Sequence, residues 1–245
     1  KRIPEEVNKL LTTAAADLYF CPTPTGVKNL AKIGITENVH LVGDVGIDLI
    51  FNNLEKIEAI EQKVLQKYGV KPGEYFFVTC HRAANTEVPE NLKEILAALQ
   101  RLPLPHILPM HPRTKKAIQR FGLSMPSGAT KPLGFFETQA LIRNARMVIT
   151  DSGGVIKEAY FHQTPGIIID RQTEWIETIE EGWNHIAGPD CQAIIDVVQN
   201  IKMPDVHTNC LGDGTASQKI ASIVKGYLEI SNPQPTVSKS EKVHV

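Results

Sequence analysis

Four short runs in the chain carry side chains able to hold or move charge. His81-Arg82 and His111-Pro112-Arg113-Thr114 each set a histidine beside an arginine; Asp151-Ser152-Gly153-Gly154 joins a carboxylate, a hydroxyl and two glycines; Arg171-Gln172-Thr173-Glu174 adds a further arginine and carboxylate. An arginine offers a fixed fork of donors that suits a diphosphate, and a histidine can donate a hydrogen bond or carry a proton near neutral pH. Paired glycines let backbone N–H groups approach a phosphate closely, and a helix starting there turns its positive end toward the anion. Ser152 would add a hydroxyl donor, and Glu158, further into the same helix, has paired oxygens that fit a ribose diol. A plainer account exists for each: Ser152 as a helix cap, the glycines as a tight turn, Pro112 and Thr114 as a helix start, and Glu158 as a solvated helix residue.

The elements around these runs decide where they sit. Tyr75–Thr79, His106–Met110, Met147–Thr150 and Gly166–Asp170 are apolar stretches of strand length, and each is followed directly by one of the polar runs. Between them the spacing predicts helices over Asn91–Gln100, Arg113–Arg120, Glu137–Asn144 and Val155–Phe161. Strands without polar alternation are covered on both faces, so the expected fold is α/β, a Rossmann-like doubly wound parallel sheet. In such a sheet the ligand crevice lies beyond the carboxyl ends of the strands, where the four runs fall. Upstream, helical spacing after Pro4, strands over Asp17–Cys21 and Val39–Val42, and helices over Thr23–Ile33 and Asn53–Tyr68 are expected, the last stopped by Gly69. A final helix is expected over Thr215–Leu228, after Gly212-Asp213-Gly214.

Composition narrows the chemistry. Twenty-six basic and twenty-seven acidic side chains leave a formal charge of −1, so no global field draws the chain to nucleic acid or an acidic membrane, and an anion must be held by local geometry. The four cysteines are scattered without a CxxC pair, which favours reduced thiols, a cytoplasmic setting and no metal site. No apolar run approaches the roughly 18 residues that a membrane span needs. Kinase, dehydrogenase, zinc-protease and serine-hydrolase readings lose ground because the rows contain no Walker lysine motif, GxGxxG, HExxH or GxSxG. The chain opens at Lys1 without a methionine and reads as a segment of something longer, and Ser231–Val245, rich in Pro, Ser and Lys, reads as a disordered tail.

Taken in order, Pro4-Glu5-Glu6-Val7-Asn8, His81-Arg82 with Asn85, Met110-His111-Pro112-Arg113-Thr114, Pro132-Leu133-Gly134, Thr150 to Glu158 and Arg171-Gln172-Thr173-Glu174-Trp175 resemble the non-hydrolysing UDP-N-acetylglucosamine 2-epimerases. The resemblance implies the C-terminal half of a GT-B type fold, in which two Rossmann-like domains face across a cleft. On that basis residues 1–45 are the tail end of the N-terminal domain and 46–72 a linker and connecting helix. Residues 73–211 are then the UDP-binding domain, 212–230 a helix crossing back and 231–245 the tail. The implied reaction interconverts UDP-N-acetylglucosamine and its manno epimer by loss and re-addition of UDP, with no cofactor and no metal. The implied partners are UDP and a UDP-sugar, in a homodimer when full length. Carried over by position, Glu5 and His81 are catalytic. Arg82, His111, Arg113, Ser152, Gly153, Gly154, Glu158, Arg171, Thr173 and Glu174 bind the substrate.

The departures from the family pattern are also informative. The family's upstream aspartate and its His-Val-Glu-Ala-Gly-Leu-Arg segment do not occur in this sequence, so the chain by itself is expected to have no epimerase turnover. Lys9 stands where many members have arginine, Ala83 and Ala84 replace polar residues, and Trp175 follows Thr173-Glu174 where the commoner pattern is Thr-Glu-Arg-Pro. The competing readings are an epimerase of a UDP-diacetamido sugar, a GT-B glycosyltransferase and a non-catalytic nucleotide-sugar module.

Overall fold

The computed structural model describes the backbone of residues 4–231 and the side chains of residues 7–229. The first stretch runs α1 (Pro4–Ala15), β1 (Tyr19–Cys21), α2 (Pro24–Lys32), β2 (Val39–Leu41), α3 (Val45–Phe51) and α4 (Leu54–Tyr68). It continues with β3 (Phe76–Thr79), α5 (Ala83–Thr86), α6 (Pro89–Arg101), β4 (His106–Pro109), α7 (Pro112–Arg120) and β5 (Ala129–Thr130). The last stretch is α8 (Phe135–Asn144), β6 (Met147–Thr150), α9 (Gly153–Phe161), β7 (Gly166–Ile168), α10 (Ile176–Glu180), β8 (Asn184–Ile186), α11 (Cys191–Asn200) and α12 (Ala216–Ser231). Pro24, Pro89 and Pro112 occupy helix starts, where a missing N–H costs nothing, and α4 ends on Gly69 at φ 64°, a left-handed value that a side chain would strain. Glu5 lies in the first turn of α1, but its side chain falls outside the described residues, as does the expected tail beyond Ser231.

Two parallel sheets result. β1 pairs with β2, and a six-stranded sheet follows the order β5-β4-β3-β6-β7-β8. The α/β class and doubly wound parallel sheet expected from the sequence are therefore present. In β3, successive side chains alternate between two cores, as the period of a strand requires. Phe76, Val78 and Cys80 pack with α6, α7 and α11 on one face, while Tyr75 and Phe77 pack with α4, α8 and α9 on the other. Both faces are covered, which is why the strands read as continuous apolar runs.

The chain order reverses between β3 and β6, so the turns after these two strands open side by side at the middle of the sheet, the place where doubly wound sheets take ligands. Carboxylates at the start of α3 and within it tie it to α12 and α9. Asp48 of α3, buried, accepts from Ala216 N and from the amide and hydroxyl of Ser217, capping α12, and Asp44 accepts a 2.5 Å contact from Lys157 of α9. The hydrogen bonds of Asp48 outweigh the burial that would raise its pKa, which lies below the usual value.

Candidate functional site at the β3 and β6 outlets

A single buried carboxylate gathers the site. Asp151, 1% exposed, immediately follows β6. It accepts hydrogen bonds from His81 N at 2.9 Å, Arg82 N at 2.9 Å and Asn85 Nδ2 at 3.0 Å, and it contacts His81 Nδ1 at 2.9 Å. Burial pushes its carboxyl up, yet these donors prevail and hold its pKa below the ordinary carboxylate value. A charge desolvated to this degree is tolerable only because its lone pairs are taken. With Nδ1 of His81 committed to Asp151, the imidazole is fixed and its Nε2 is left for the cleft.

The second histidine is oriented differently. His111 accepts from Arg113 N through Nδ1 at 3.1 Å, capping α7, and Arg113 Nη1 donates to the carbonyl of His81 at 2.9 Å. Burial, then the proximity of His81 and Arg113, lowers the pKa of His111, and because its Nδ1 accepts from Arg113 N, the proton of the neutral ring belongs on Nε2. The two imidazoles lie with centroids 5.4 Å apart. Thr114 donates its hydroxyl to the carbonyl of Cys80, fastening α7 to the end of β3.

Facing this pair, Ser152 is the N-cap of α9, its hydroxyl accepting from Val155 N at 3.4 Å, so the plain capping role is real. Gly153 and Gly154 form the first turn of the helix, where the amide groups have no intrahelical acceptor, and they supply two aligned N–H donors. A Cβ on Gly153 would stand 3.2 Å from Trp175 Nε1 and 3.8 Å from Arg82 Nη2, so the side-chain-free space at this glycine is ringed by donors. His81, His111 and Ser152 also wall a cavity of about 250 Å3 whose remaining lining is largely apolar, including Met110, Leu133 and Val155.

The other expected site residues are placed less centrally. Arg82 pairs with Asp170 at 2.9 Å while facing Gly153. Glu158 is half-buried beside Gln139 of α8 and Lys157; burial raises its pKa, and these two neighbours pull the other way. Glu158 thus adjoins the cluster without joining it. Thr173 spends its hydroxyl accepting from Trp175 N, and Glu174 makes an exposed 2.7 Å pair with Lys9 that lowers its pKa. Thr173 is occupied within its own loop, and Arg82 lies near enough to Glu174 to help lower its carboxyl. Arg171 is exposed and its side chain makes no hydrogen bond among the described residues. The residue that organises the site, Asp151, is visible in the sequence only as part of a turn. The signal that distinguishes it is its place directly after a wholly apolar strand, where burial is expected.

A doubly wound parallel sheet with cations and free amides at its central outlets defines a protein of the Rossmann-like α/β class. More particularly, the chain matches the model of the UDP-N-acetylglucosamine 2-epimerase family over residues 1–225, and it belongs to that family. It is 34% identical over 232 residues to a UDP-N-acetylglucosamine 2-epimerase homolog of Methanococcus maripaludis, covering 92% of this chain and 65% of that protein. It is 33% identical over 226 residues to the UDP-2,3-diacetamido-2,3-dideoxy-D-glucuronate 2-epimerase of Pseudomonas aeruginosa, covering 90% and 63%. Among solved structures, the UDP-GlcNAc 2-epimerase of Methanocaldococcus jannaschii, crystallised with UDP-GlcNAc and UDP, superposes with a TM-score of 0.83 at 30% identity. That match covers 91% of this chain and 65% of that one. The chain thus spans about 65% of the length of these relatives.

Proposed function

We propose that this chain is the UDP-gripping portion of a UDP-N-acetylglucosamine 2-epimerase, which interconverts UDP-GlcNAc and UDP-ManNAc. The observation that carries the reading is the convergence of His81, Arg82 and Asn85 on Asp151 beside the Ser152-Gly153 helix start. Expelling UDP from C1 of the sugar develops charge on a diphosphate oxygen. Donors already fixed in place stabilise that charge without reorganising at the moment of reaction. In this assignment the Gly153 and Gly154 amides, Arg82 and His81 Nε2 hold the diphosphate, while His111 and Ser152 wall the base pocket. Glu158, its carboxyl raised by burial, receives the ribose hydroxyls.

Loss and return of the C2 proton need carboxylates beyond those described in this cleft, because Asp151 and Asp170 are both engaged with the chain's own donors. Glu5 is the carboxylate that the family resemblance assigns to that step. The residue ranges 1–45, 46–72, 73–211 and 212–230 are read as the N-terminal domain's end, connector, UDP domain and returning helix. The 33% identity to the diacetamido-sugar epimerase favours, as the second reading, a UDP-diacetamido sugar as substrate. Proton NMR of the full-length parent protein in heavy water with each UDP-sugar decides between them. Deuterium at C2 accompanied by the epimer of UDP-GlcNAc supports the proposal, exchange only with the diacetamido sugar favours the second reading, and transfer to an acceptor without exchange contradicts both.

A further inference from the structure

Trp175 has an indole N–H with no hydrogen-bond partner, although the atom is shielded from solvent. Leaving such a donor unmade carries a desolvation cost, so it is an arrangement that a ligand would relieve. The nitrogen is directed at the anion turn, since it lies 3.2 Å from the point where a Cβ of Gly153 would sit, with Arg82 Nη2 at 3.8 Å from the same point. The other tryptophan shows the contrast: Trp183 Nε1 donates to the carbonyl of Val206 at 2.8 Å, the ordinary way to bury an indole.

The ring of Trp175 is held rather than loose. Its amide donates to the Thr173 hydroxyl, its carbonyl accepts from Thr178 at 2.8 Å, and it packs against the core between α4, α8 and α9. The ammonium of Lys157 sits 4.5 Å from the ring centroid, and Asp44 holds that ammonium from the start of α3. A cation on the face of the ring draws on its π-electrons, and the N–H in the ring plane remains free to donate.

We infer that Trp175 is a binding residue for the diphosphate of a nucleoside diphosphate, its Nε1–H donating to a phosphoryl oxygen seated over Gly153 between Arg82 and the α9 amides. This inference rests on the UDP reading above and adds to it a donor, Trp175 Nε1, that the reading itself does not use. An indole donor contributes geometry without a second positive charge next to Arg82.

The test uses calorimetric titration of the chain with UDP and with uridine, alongside indole 15N–1H spectra. Trp175→Phe, which keeps an aromatic side chain but removes the N–H, is expected to weaken UDP roughly tenfold, as for one lost hydrogen bond to a charged group, and to leave uridine unchanged. One of the two indole peaks is expected to move downfield with UDP and not with uridine, and to be missing in Trp175→Phe. Unaltered UDP affinity in Trp175→Phe, or an indole spectrum indifferent to UDP, overturns the inference while leaving the UDP reading intact. Failure of the unsubstituted chain to bind UDP removes both.

Discussion

Two hollows on this molecule differ in size and in chemistry, and the smaller one is the better site. The larger, about 610 Å3, lies where the first sheet meets the segment before α12; Glu177, Glu180, Glu181 and Asp213 line it against a single cation, Lys219. The smaller, about 250 Å3, is walled by His81, His111 and Ser152 at the outlets of β3 and β6. Volume alone would choose the first. A diphosphate, however, must exchange a full hydration shell for donors, and an acidic wall supplies repulsion instead. The donors gather where a buried Asp151 has already organised them, so the placement of charge and N–H groups, rather than room, marks the site.

The largest expected consequence of this difference is in stability. Asp151→Ala removes the shared acceptor of three donors and is expected to cost about 3–5 kcal/mol, whereas Glu180→Ala, exposed in the larger hollow, should leave the denaturation midpoint unmoved. Urea unfolding monitored by circular dichroism checks both. The same carboxylate has a pKa depressed in the folded state. Its stabilisation is therefore present above the unfolded value of about 4 and fades as acid takes the pH down through the folded value. Asp151→Asn should flatten that part of the acid limb, and an unchanged limb would mean that another group carries it.

Next in size is the nucleotide affinity. Arg82→Ala is expected to weaken UDP by about 1.5–3 kcal/mol, the loss of a charge-assisted contact, and Glu180→Gln to have no effect on UDP. An equal loss from both would erase the distinction between the two hollows. The smallest effect belongs to the exposed Lys9–Glu174 pair, 64% accessible on each side. Lys9→Ala should change stability by no more than roughly 0.5 kcal/mol, read from the same unfolding curves.

Much of this was legible in the residues. β6 spans the expected Met147–Thr150, and the polar runs after β3, β4 and β6 lie at strand outlets, because apolar continuity and punctuation are local properties. Other parts were not, among them the short α3, α5, β5 and α10. α9 begins at Gly153, before the expected Val155, since glycine's poor helix propensity hides a start fixed by the Ser152 cap. β8 and α11 went unread: Asn184–Ile186 is short and half-polar, although Asp190 ahead of Ile194 and Ile195 was a usable capping signal. The committed state of Arg82, Thr173 and Glu174 could not be read at all, because their partners Asp170, Trp175 and Lys9 are set by tertiary approach.

The central claim, that donors at the sheet outlets hold a diphosphate, is met most directly by titrating the chain with UDP and with uridine under one buffer and salt. The account predicts that UDP binds more tightly by about two orders of magnitude or more, the difference arising from the phosphoryl contacts. Equal affinity for the two would show that the phosphates are not held, and the account would be wrong.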